Sequence, residues 1–303
     1  MRTRTRSRRR PTPTAPPTHP VVLVTGASSG IGRATAELYA GRGARLVLCS
    51  RSADALERVR ARCADLGAEV EVVVTDVADA AQVQSAVDRA VARFGRLDVC
   101  VSAAAVMSYG QHADTPAEVF DRVVTVNLLG AANVARSALG VFRAQEQGTL
   151  VVVGSLLGRA AVPLAGSYVA SKFGLRGLTR TLRQESRDHP GVHVTSVAPG
   201  AVRTPIYAQA ATVIGRTGSP PPPVTTPERV AVQVLRAVEH GSRERDADAL
   251  GGLLNKGMSV AFTVLPGLYD VLVGPMMRTL GVSRKHRPNT EGNVFVPVAE
   301  LER

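Results

Sequence analysis

Short runs of aliphatic and β-branched residues alternate along the chain with segments of helical periodicity, beginning at Val21. This pattern predicts β-strands over residues 21–24, 45–49, 69–74, 97–101, 149–153 and 192–197. The strands are almost continuously apolar, which is typical of parallel strands covered on both faces. The alternation therefore predicts an α/β fold, a doubly wound parallel sheet between two layers of helices.

Caps and apolar stripes mark the helices between these strands. Asp79 can cap a helix together with Gln82, three residues on, and Gly95 is placed to end it. The other predicted helices run to about residue 40 and over about 115–140, 167–188 and 227–240. Ligands of parallel sheets bind outside the carboxyl ends of the strands, so chemistry is expected in the segments that follow them.

The pattern divides the chain into a tail, a catalytic domain and an extension. Residues 20–252 are predicted to be one domain, with a variable substrate loop at about 205–226 that contains four consecutive prolines. Residues 253–303 form a C-terminal extension, predicted to be a helical lid or an extra layer at the pocket mouth. Pro266 and Asp270 interrupt its apolar stretch, which argues against a transmembrane helix, and contact with a membrane surface is the alternative.

Half of the net charge of +12 comes from the N-terminus, because six arginines lie among the first ten residues. Residues 1–19 are basic and then rich in proline and threonine, and no apolar signal segment follows the charges, so they are predicted to be a disordered tail. Nonspecific binding of nucleic acid or of an anionic membrane by the arginines is an alternative, as is an overextended start site. With no Trp and 4% aromatic residues, a stacking platform for single-stranded nucleic acid is not expected.

The three cysteines, Cys49, Cys63 and Cys100, have no CxxC or metal-ligand spacing. Their neighbours are apolar, which indicates buried, reduced thiols and a cytoplasmic location. No metal site is expected.

A glycine-rich turn follows the first predicted strand. Its sequence runs from Thr25 to Gly32 as TGASSGIG, and glycines at this point let backbone amides approach a pyrophosphate at a helix N-terminus. A simple tight turn is the alternative, and a Walker A loop is excluded because no Gly-Lys pair follows. The motif resembles the cofactor turn of the short-chain dehydrogenase/reductase family, and the resemblance extends over about residues 20–205. It implies a Rossmann-type fold and binding of a nicotinamide dinucleotide by Gly26, Ser28, Ser29, Gly30, Ile31 and Gly32.

The choice of cofactor depends on the residues that follow the second strand. An NAD site places an acid about 20 residues past the glycines, on the ribose diol. Here Ser50 and Arg51 stand there, and Arg51 could pair with a 2′-phosphate, so NADP(H) is predicted and NAD is the less favoured alternative. The alternative for Arg51 is a solvated turn residue. Asp76 and Val77 resemble the family's adenine-contacting pair, although Asp76 could also cap the next helix.

Tyr168 and Lys172 are spaced i, i+4 and therefore share one face of a predicted helix. A cation near the phenol is expected to lower its pKa toward neutrality and so to make it a useful proton donor or acceptor. Ser155 stands just past the fifth predicted strand, where its hydroxyl could bond a substrate oxygen. By resemblance, Asn127, Ser155, Tyr168 and Lys172 form the family's catalytic tetrad, in which Asn127 would hold a proton-relaying water.

Two further segments carry the resemblance, one closely and one with a departure. Pro199, Gly200, Val202 and Thr204 resemble the segment that contacts the nicotinamide carboxamide, although an ordinary Pro-Gly turn is the alternative. After the fourth strand the family has Asn-Asn-Ala-Gly, whereas here residues 102–105 read Ser-Ala-Ala-Ala. Ala103 and Ala104 are expected to line the cofactor, and the departure puts cofactor affinity in doubt. The ending Gly292–Pro297 looks like that of a bacterial subgroup with long C-termini.

These observations predict an oxidoreductase that interconverts a carbonyl and an alcohol by hydride transfer, with an apolar small-molecule substrate. A catalytically idle NADP-binding scaffold or redox sensor is the first alternative, motivated by residues 102–105. Nucleic-acid binding through the arginine tail is the second. The resemblance also implies a homodimer or homotetramer paired through the two long helices.

Overall fold

The computed structural model describes residues 18–298. The predicted tail therefore lies outside the described residues, apart from Thr18 and His19, as do the last five residues of the extension.

Seven parallel strands form the main sheet: β1 Val21–Thr25, β2 Arg45–Ser50, β3 Val70–Val74, β4 Val99–Ser102, β6 Gly148–Val153, β7 Val192–Pro199 and β10 Glu244–Ala247. Their order across the sheet is β3-β2-β1-β4-β6-β7-β10. Two small pairs lie outside it: β5 Ser108–Tyr109 with β8 Ala211–Thr212, and β9 Arg216–Gly218 with β11 Val282–His286. The strand order reverses direction between β1 and β4, and a ligand crevice forms at such a switch point.

Ten α-helices connect and cover these strands within the described residues. They are α1 Gly30–Ala40, α2 Ala53–Asp65, α3 Ala80–Phe94, α4 Ala117–Val124, α5 Gly130–Ala144, α6 Gly166–Glu185, α7 Ile206–Gln209, α8 Pro227–Glu239, α9 Leu253–Val264 and α10 Pro266–Leu280. One apolar core lies on the side of α3 and α5 and a second on the side of α1 and α8. The predicted doubly wound fold with a helical C-terminal region is confirmed.

The caps of α3 agree with the sequence. Asp79 Oδ1 accepts from the backbone amides of Ala81 at 2.8 Å and Gln82 at 3.1 Å, and Gly95 ends the helix with a φ of 77°. A left-handed φ of this kind favours glycine because it has no Cβ. The same carboxylate also accepts from the Gln82 side chain at 3.0 Å, so both predicted cap residues take part.

The predicted helix over 115–140 is corrected in one respect. The segment consists of α4, a π-helical turn at Thr125–Leu129, and α5, which extends to Ala144. By length and hydropathy, Ala117–Ala144 is the one stretch in the described part of the chain that could cross a membrane, and 56% of its most apolar window is buried inside the protein. Its buried side chains belong to the core beside α3, as those of a core helix do.

Candidate active site

One cavity lies at the carboxyl edge of the sheet, over the switch point between β1 and β4. The residues predicted to bind the cofactor all line it, and Ser155 lies there with Tyr168 and Lys172. These lining residues are Gly26, Ser28, Ser29, Gly30, Ile31, Gly32, Ser50, Arg51, Asp76, Val77, Ala103, Ala104, Pro199, Gly200, Val202 and Thr204. The fold therefore brings together residues that are up to 178 positions apart between Gly26 and Thr204.

The glycine turn forms a cradle that larger residues would fill. A Cβ at Gly32 would lie 2.2 Å from the carbonyl oxygen of Gly26, and one at Gly26 would lie 2.8 Å from the backbone of Ala104. Ser29 is the N-cap residue of α1, and no acidic residue stands in the first turn of that helix. Exposed amides at a helix N-terminus without a neighbouring carboxylate suit an anionic pyrophosphate, so this end of the cavity fits a dinucleotide.

The altered segment after β4 is tied to β1 by a hydroxyl. The amides of Ala103 and Ala104 donate to Thr25 Oγ1 at 3.2 Å and 3.4 Å, and this hydroxyl lies 3.5 Å from the Val101 carbonyl. The two amide side chains that the family pattern would supply at 102 and 103 are absent, and Thr25 supplies a tie between the strands. Ala105 also lines the cavity.

The ends of β2 and β3 carry two charged groups that are already engaged by the protein. The Arg51 guanidinium donates to the backbone carbonyls of Asn293, Val294 and Phe295 at 2.5–3.1 Å. Asp76 forms an ion pair with Arg122 and accepts from the Ala78 amide at 3.0 Å. Both side chains thus have partners within the protein. The contacts of Arg51 with a 2′-phosphate and of Asp76 with adenine stay predictions.

Ser155, Tyr168 and Lys172 meet at the opposite end of the cavity. The Ser155 hydroxyl hydrogen-bonds Tyr168 and accepts from the Leu157 amide at 3.1 Å. Tyr168 and Lys172 are one turn apart on α6, and Lys172 Nζ lies 5.5 Å from the centre of the Tyr168 ring. Nζ donates to the carbonyl of Val153, the last residue of β6, at 3.1 Å. A hydroxyl pair of this kind can hold one substrate oxygen between them.

Burial determines the protonation states of Tyr168 and Lys172. It raises the pKa of the Tyr168 phenol well above its usual range, Tyr207 adds to the increase, and the hydrogen bond with Ser155 opposes it. The expected shift of the phenol pKa toward neutrality is therefore not found in the protein alone, because desolvation by burial is the largest influence on Tyr168. Burial also lowers the pKa of Lys172 to about 8. Tyr168 is a neutral phenol at pH 7, which is the form that donates a proton.

Asn127 is the one predicted catalytic residue that does not line the cavity. It is buried in the π-helical turn, accepts from the Val106 amide at 2.8 Å and donates to the Val106 carbonyl at 2.9 Å. Its amide nitrogen also lies 3.1 Å from Ser171 Oγ, on α6 next to Lys172. Asn127 thus connects the segment after β4 to the helix of Tyr168, and the proton-relaying water stays a prediction.

The segment after β7 closes the cavity from the side. Thr204 lies against the glycine turn, since a Cβ at Gly30 would come within 3.2 Å of its methyl group. Val202 pairs with Thr225 in an isolated bridge, which ties this segment to the loop before α8. The geometry joins the predicted nicotinamide segment directly to the predicted pyrophosphate turn.

The sequence did not identify the wall facing Tyr168. This wall is apolar and comes from five parts of the chain, including both helices of the extension. Its residues are Met107, Tyr109, Leu156, Leu157, Val162, Ile206, Tyr207, Leu254, Met258, Met276 and Met277. Several of them also pack together with Tyr269 and Val273 in a third apolar cluster. Their spacing along the chain carries no motif, so only the packing of α9 and α10 shows their role.

Comparisons with known proteins agree with this geometry. The family model described as short chain dehydrogenase matches residues 20–213. Human dehydrogenase/reductase SDR family member 7 is 33% identical over 224 residues, which are 71% of this chain and 66% of the relative, so just under two thirds of that protein is covered. Sepiapterin reductase of Chlorobaculum tepidum is 32% identical over 231 residues, 74% of this chain and 91% of the relative. The solved alcohol dehydrogenase of Thermococcus sibiricus, complexed with 5-hydroxy-NADP, has a TM-score of 0.65 and 28% identity over 76% of this chain and 95% of its own.

Proposed function

Because this chain belongs to the short-chain dehydrogenase/reductase family and is therefore an oxidoreductase, we propose that it interconverts a carbonyl and a secondary or primary alcohol, using NADP(H). The observation that carries the proposal is the single cavity in which the Ser155–Tyr168 hydroxyl pair faces the same space as the glycine turn. When bound, the nicotinamide supplies or accepts the hydride.

The chain's own residues have separate tasks in this reaction. Ser155 orients the substrate oxygen by a hydrogen bond, and Tyr168 donates its proton to that oxygen during reduction and recovers it during oxidation. Lys172, buried below them, offers its ammonium group to the nicotinamide ribose. Asn127 positions α6, which carries both Tyr168 and Lys172.

The preference for NADP(H) is supported by the end of β2. No carboxylate stands at Ser50, Arg51 or Ser52 to repel a 2′-phosphate, and an arginine is present. Asp76, the one carboxylate among the described residues that line this end of the cavity, is paired with Arg122. The Thermococcus sibiricus neighbour is complexed with an NADP derivative, which is consistent with this choice.

The substrate is inferred to be a small, uncharged and largely apolar ketone, aldehyde or alcohol. The wall that faces Tyr168 contains methionine, leucine, valine, isoleucine and tyrosine side chains and no charged one. A charged substrate group would lose its hydration there without gaining a partner, which costs several kcal/mol.

Two further inferences, on assembly and compartment, are supported by exposed apolar side chains and by buried thiols. We infer a homodimer or homotetramer paired through the two long helical segments, α4–α5 and α6, because Leu129 and Phe173 are exposed there. We infer a reducing cytoplasm, because Cys49, Cys63 and Cys100 are buried free thiols whose pKa values are raised by burial.

The test is a panel of apolar carbonyls assayed with NADPH and with NADH. Tyr168→Phe should lower turnover by a factor of about 100 or more while NADPH affinity stays unchanged, since the proton donor is lost and the fold is not. Tyr39→Phe is the matched control, because it removes a buried hydroxyl that has no hydrogen-bond partner within the described residues. Full turnover by Tyr168→Phe would contradict the mechanism, faster turnover with NADH would overturn the cofactor, and NADPH binding without turnover of any carbonyl would favour the idle scaffold.

A further inference from the structure

The segment Asn293–Pro297, here called the C-terminal strap, follows the extension helices and lies over the cofactor cavity. Asn293 and Pro297 both line this cavity, on the side where Ser50, Arg51, Asp76 and Val77 line it from the ends of β2 and β3. The family match ends at residue 213, so the strap belongs to a part of the chain outside the matched region.

The strap is held firmly from two sides of the cavity. On the β2 side, Arg51 donates to three consecutive strap carbonyls, and Arg122 of α4 donates to the Val294 carbonyl at 3.4 Å. On the substrate side, the backbone N–H of Asn293 donates to the backbone carbonyl of Gln209 at 2.8 Å. The Val294 side chain is fully buried in the core beside α3 and α5. A segment with these contacts is a fixed wall of the cavity.

The side chain of Asn293 has an unused hydrogen-bonding atom inside this wall. Asn293 is 9% exposed, and its Nδ2 lies 3.1 Å from Gln209 Oε1, whereas its Oδ1 is buried without a hydrogen-bond partner among the residues that the structure describes. An unsatisfied buried amide atom costs about 1–3 kcal/mol, so a small rotation of this side chain that brings the amide against a polar group of a ligand in the cavity is favoured.

We propose that Asn293 is a cofactor-binding residue and that the C-terminal strap closes the adenosine end of the site, with the Asn293 amide hydrogen-bonding the adenosine half of the dinucleotide. The inference rests on the proposed function, because it takes the ligand to be a nicotinamide dinucleotide. Adenosine supplies both donors and acceptors from its ribose hydroxyls and its base, so either orientation of the Asn293 amide finds a partner.

The test measures binding rather than turnover. NADPH is titrated by its own fluorescence, which is excited at wavelengths that protein side chains do not absorb. Asn293→Ala should weaken NADPH binding about 5- to 10-fold, the value of one neutral hydrogen bond. The fragment 2′,5′-ADP should lose affinity by the same factor, whereas reduced nicotinamide mononucleotide should bind as before. Val296→Ala is the matched control, since Val296 is 69% exposed in the same strap and does not line the cavity.

A pair of truncations tests the strap as a whole. A chain ending at Pro297 should bind NADPH like the full chain, and one ending at Gly292 should bind it more weakly than Asn293→Ala does. If the shorter chain does not fold, Asn293→Ala alone decides the question. Equal affinity of the full chain and Asn293→Ala for both NADPH and 2′,5′-ADP would overturn the inference, whereas a full chain that binds no NADPH would overturn the proposed function itself.

Discussion

Lys172 is the residue whose chemistry the fold changes most clearly. It is 3% exposed, and burial holds its pKa at about 8, against 10.5 for an unburied lysine. Between these two values the unfolded chain binds a proton that the folded chain does not. The free energy of unfolding therefore rises with pH across this window, and the benefit is lost as the pH falls through about 8. A positive charge at this position is kept at a cost in stability.

Replacing Lys172 by Met should reveal this cost. The free energy of unfolding is measured for the native chain and for Lys172→Met at each pH. From pH 7 to pH 10 the value for the native chain should rise by roughly 2–3 kcal/mol relative to that of Lys172→Met. Urea unfolding at several pH values measures it, with Lys256→Met as the control for the loss of an exposed lysine. A difference that is the same at pH 7 and pH 10 would contradict the low pKa of Lys172.

At the residue scale, the sequence allowed candidate site residues to be identified, but not the burial and contacts of their side chains. The glycine turn and the Ser155, Tyr168 and Lys172 set could be located because their residue types and spacing are unusual. The sign of the Tyr168 pKa change could not be predicted, because it depends on how completely the apolar wall buries the phenol. The contacts of Arg51 were also out of reach, since its partners lie 242 to 244 residues away.

The turn between β1 and α1 is the element that we propose holds the cofactor pyrophosphate. Gly32→Ala places a methyl group 2.2 Å from the Gly26 carbonyl oxygen, so the turn must open. We expect a loss of about 1–3 kcal/mol in unfolding free energy and NADPH binding weakened more than about tenfold. Thermal unfolding and NADPH fluorescence measure both effects.

Gly257→Ala in α9 is the matched control for this substitution. A Cβ there meets nothing within 4 Å, so the added methyl should leave NADPH binding unchanged and stabilise the helix by up to about 1 kcal/mol. Equal behaviour of Gly32→Ala and Gly257→Ala would show that the turn tolerates a side chain and does not hold a pyrophosphate.

Most elements with two buried faces or one clean apolar stripe were predicted, but helix α2 was missed although its sequence carries such a stripe. Helix α2 did carry a signal, since Leu56, Val59 and Cys63 are buried on one face and Ser52 caps its start. Strand β10 reads Glu-Arg-Asp-Ala and lies at the sheet edge with one neighbour, so it has no apolar pattern to detect. The π-helical turn at Asn127 leaves the apolar stripe almost unbroken, which is why one long helix was predicted.

At the scale of the whole molecule, the oligomeric state can be tested by substituting an exposed apolar residue on the surface proposed to form the subunit contact. Leu129→Glu should shift the protein toward monomers if the long helical segments form the contact between copies, because a carboxylate would be buried against a second subunit. Analytical ultracentrifugation measures the mass. Leu66→Glu is the matched control, as Leu66 has the same exposure of 52% and lies at the end of α2. An unchanged mass for Leu129→Glu would place the contact elsewhere.

At the scale of the whole molecule, the sequence predicted a helical lid or extra layer from the extension at the pocket mouth, but not which of its residues line the cavity. The predicted division into a catalytic domain and an extension is reasonable in composition, yet Leu254, Met258, Met276 and Met277 complete the apolar wall from the extension. Such contacts depend on how α9 and α10 pack over the sheet edge. A local pattern cannot predict them, because each residue is ordinary in its own helix.

The position of the C-terminal strap has a consequence for how the protein matures on the ribosome. Synthesis proceeds from the N-terminus, so the glycine turn, Tyr168 and Lys172 all emerge before Asn293. A nascent chain that stops short of residue 293 has the sheet and the proton donor but lacks one lining segment of the cavity, at Asn293 and Pro297. Completion of the cofactor site therefore has to wait for synthesis of the strap, after the sheet and the proton donor have been made.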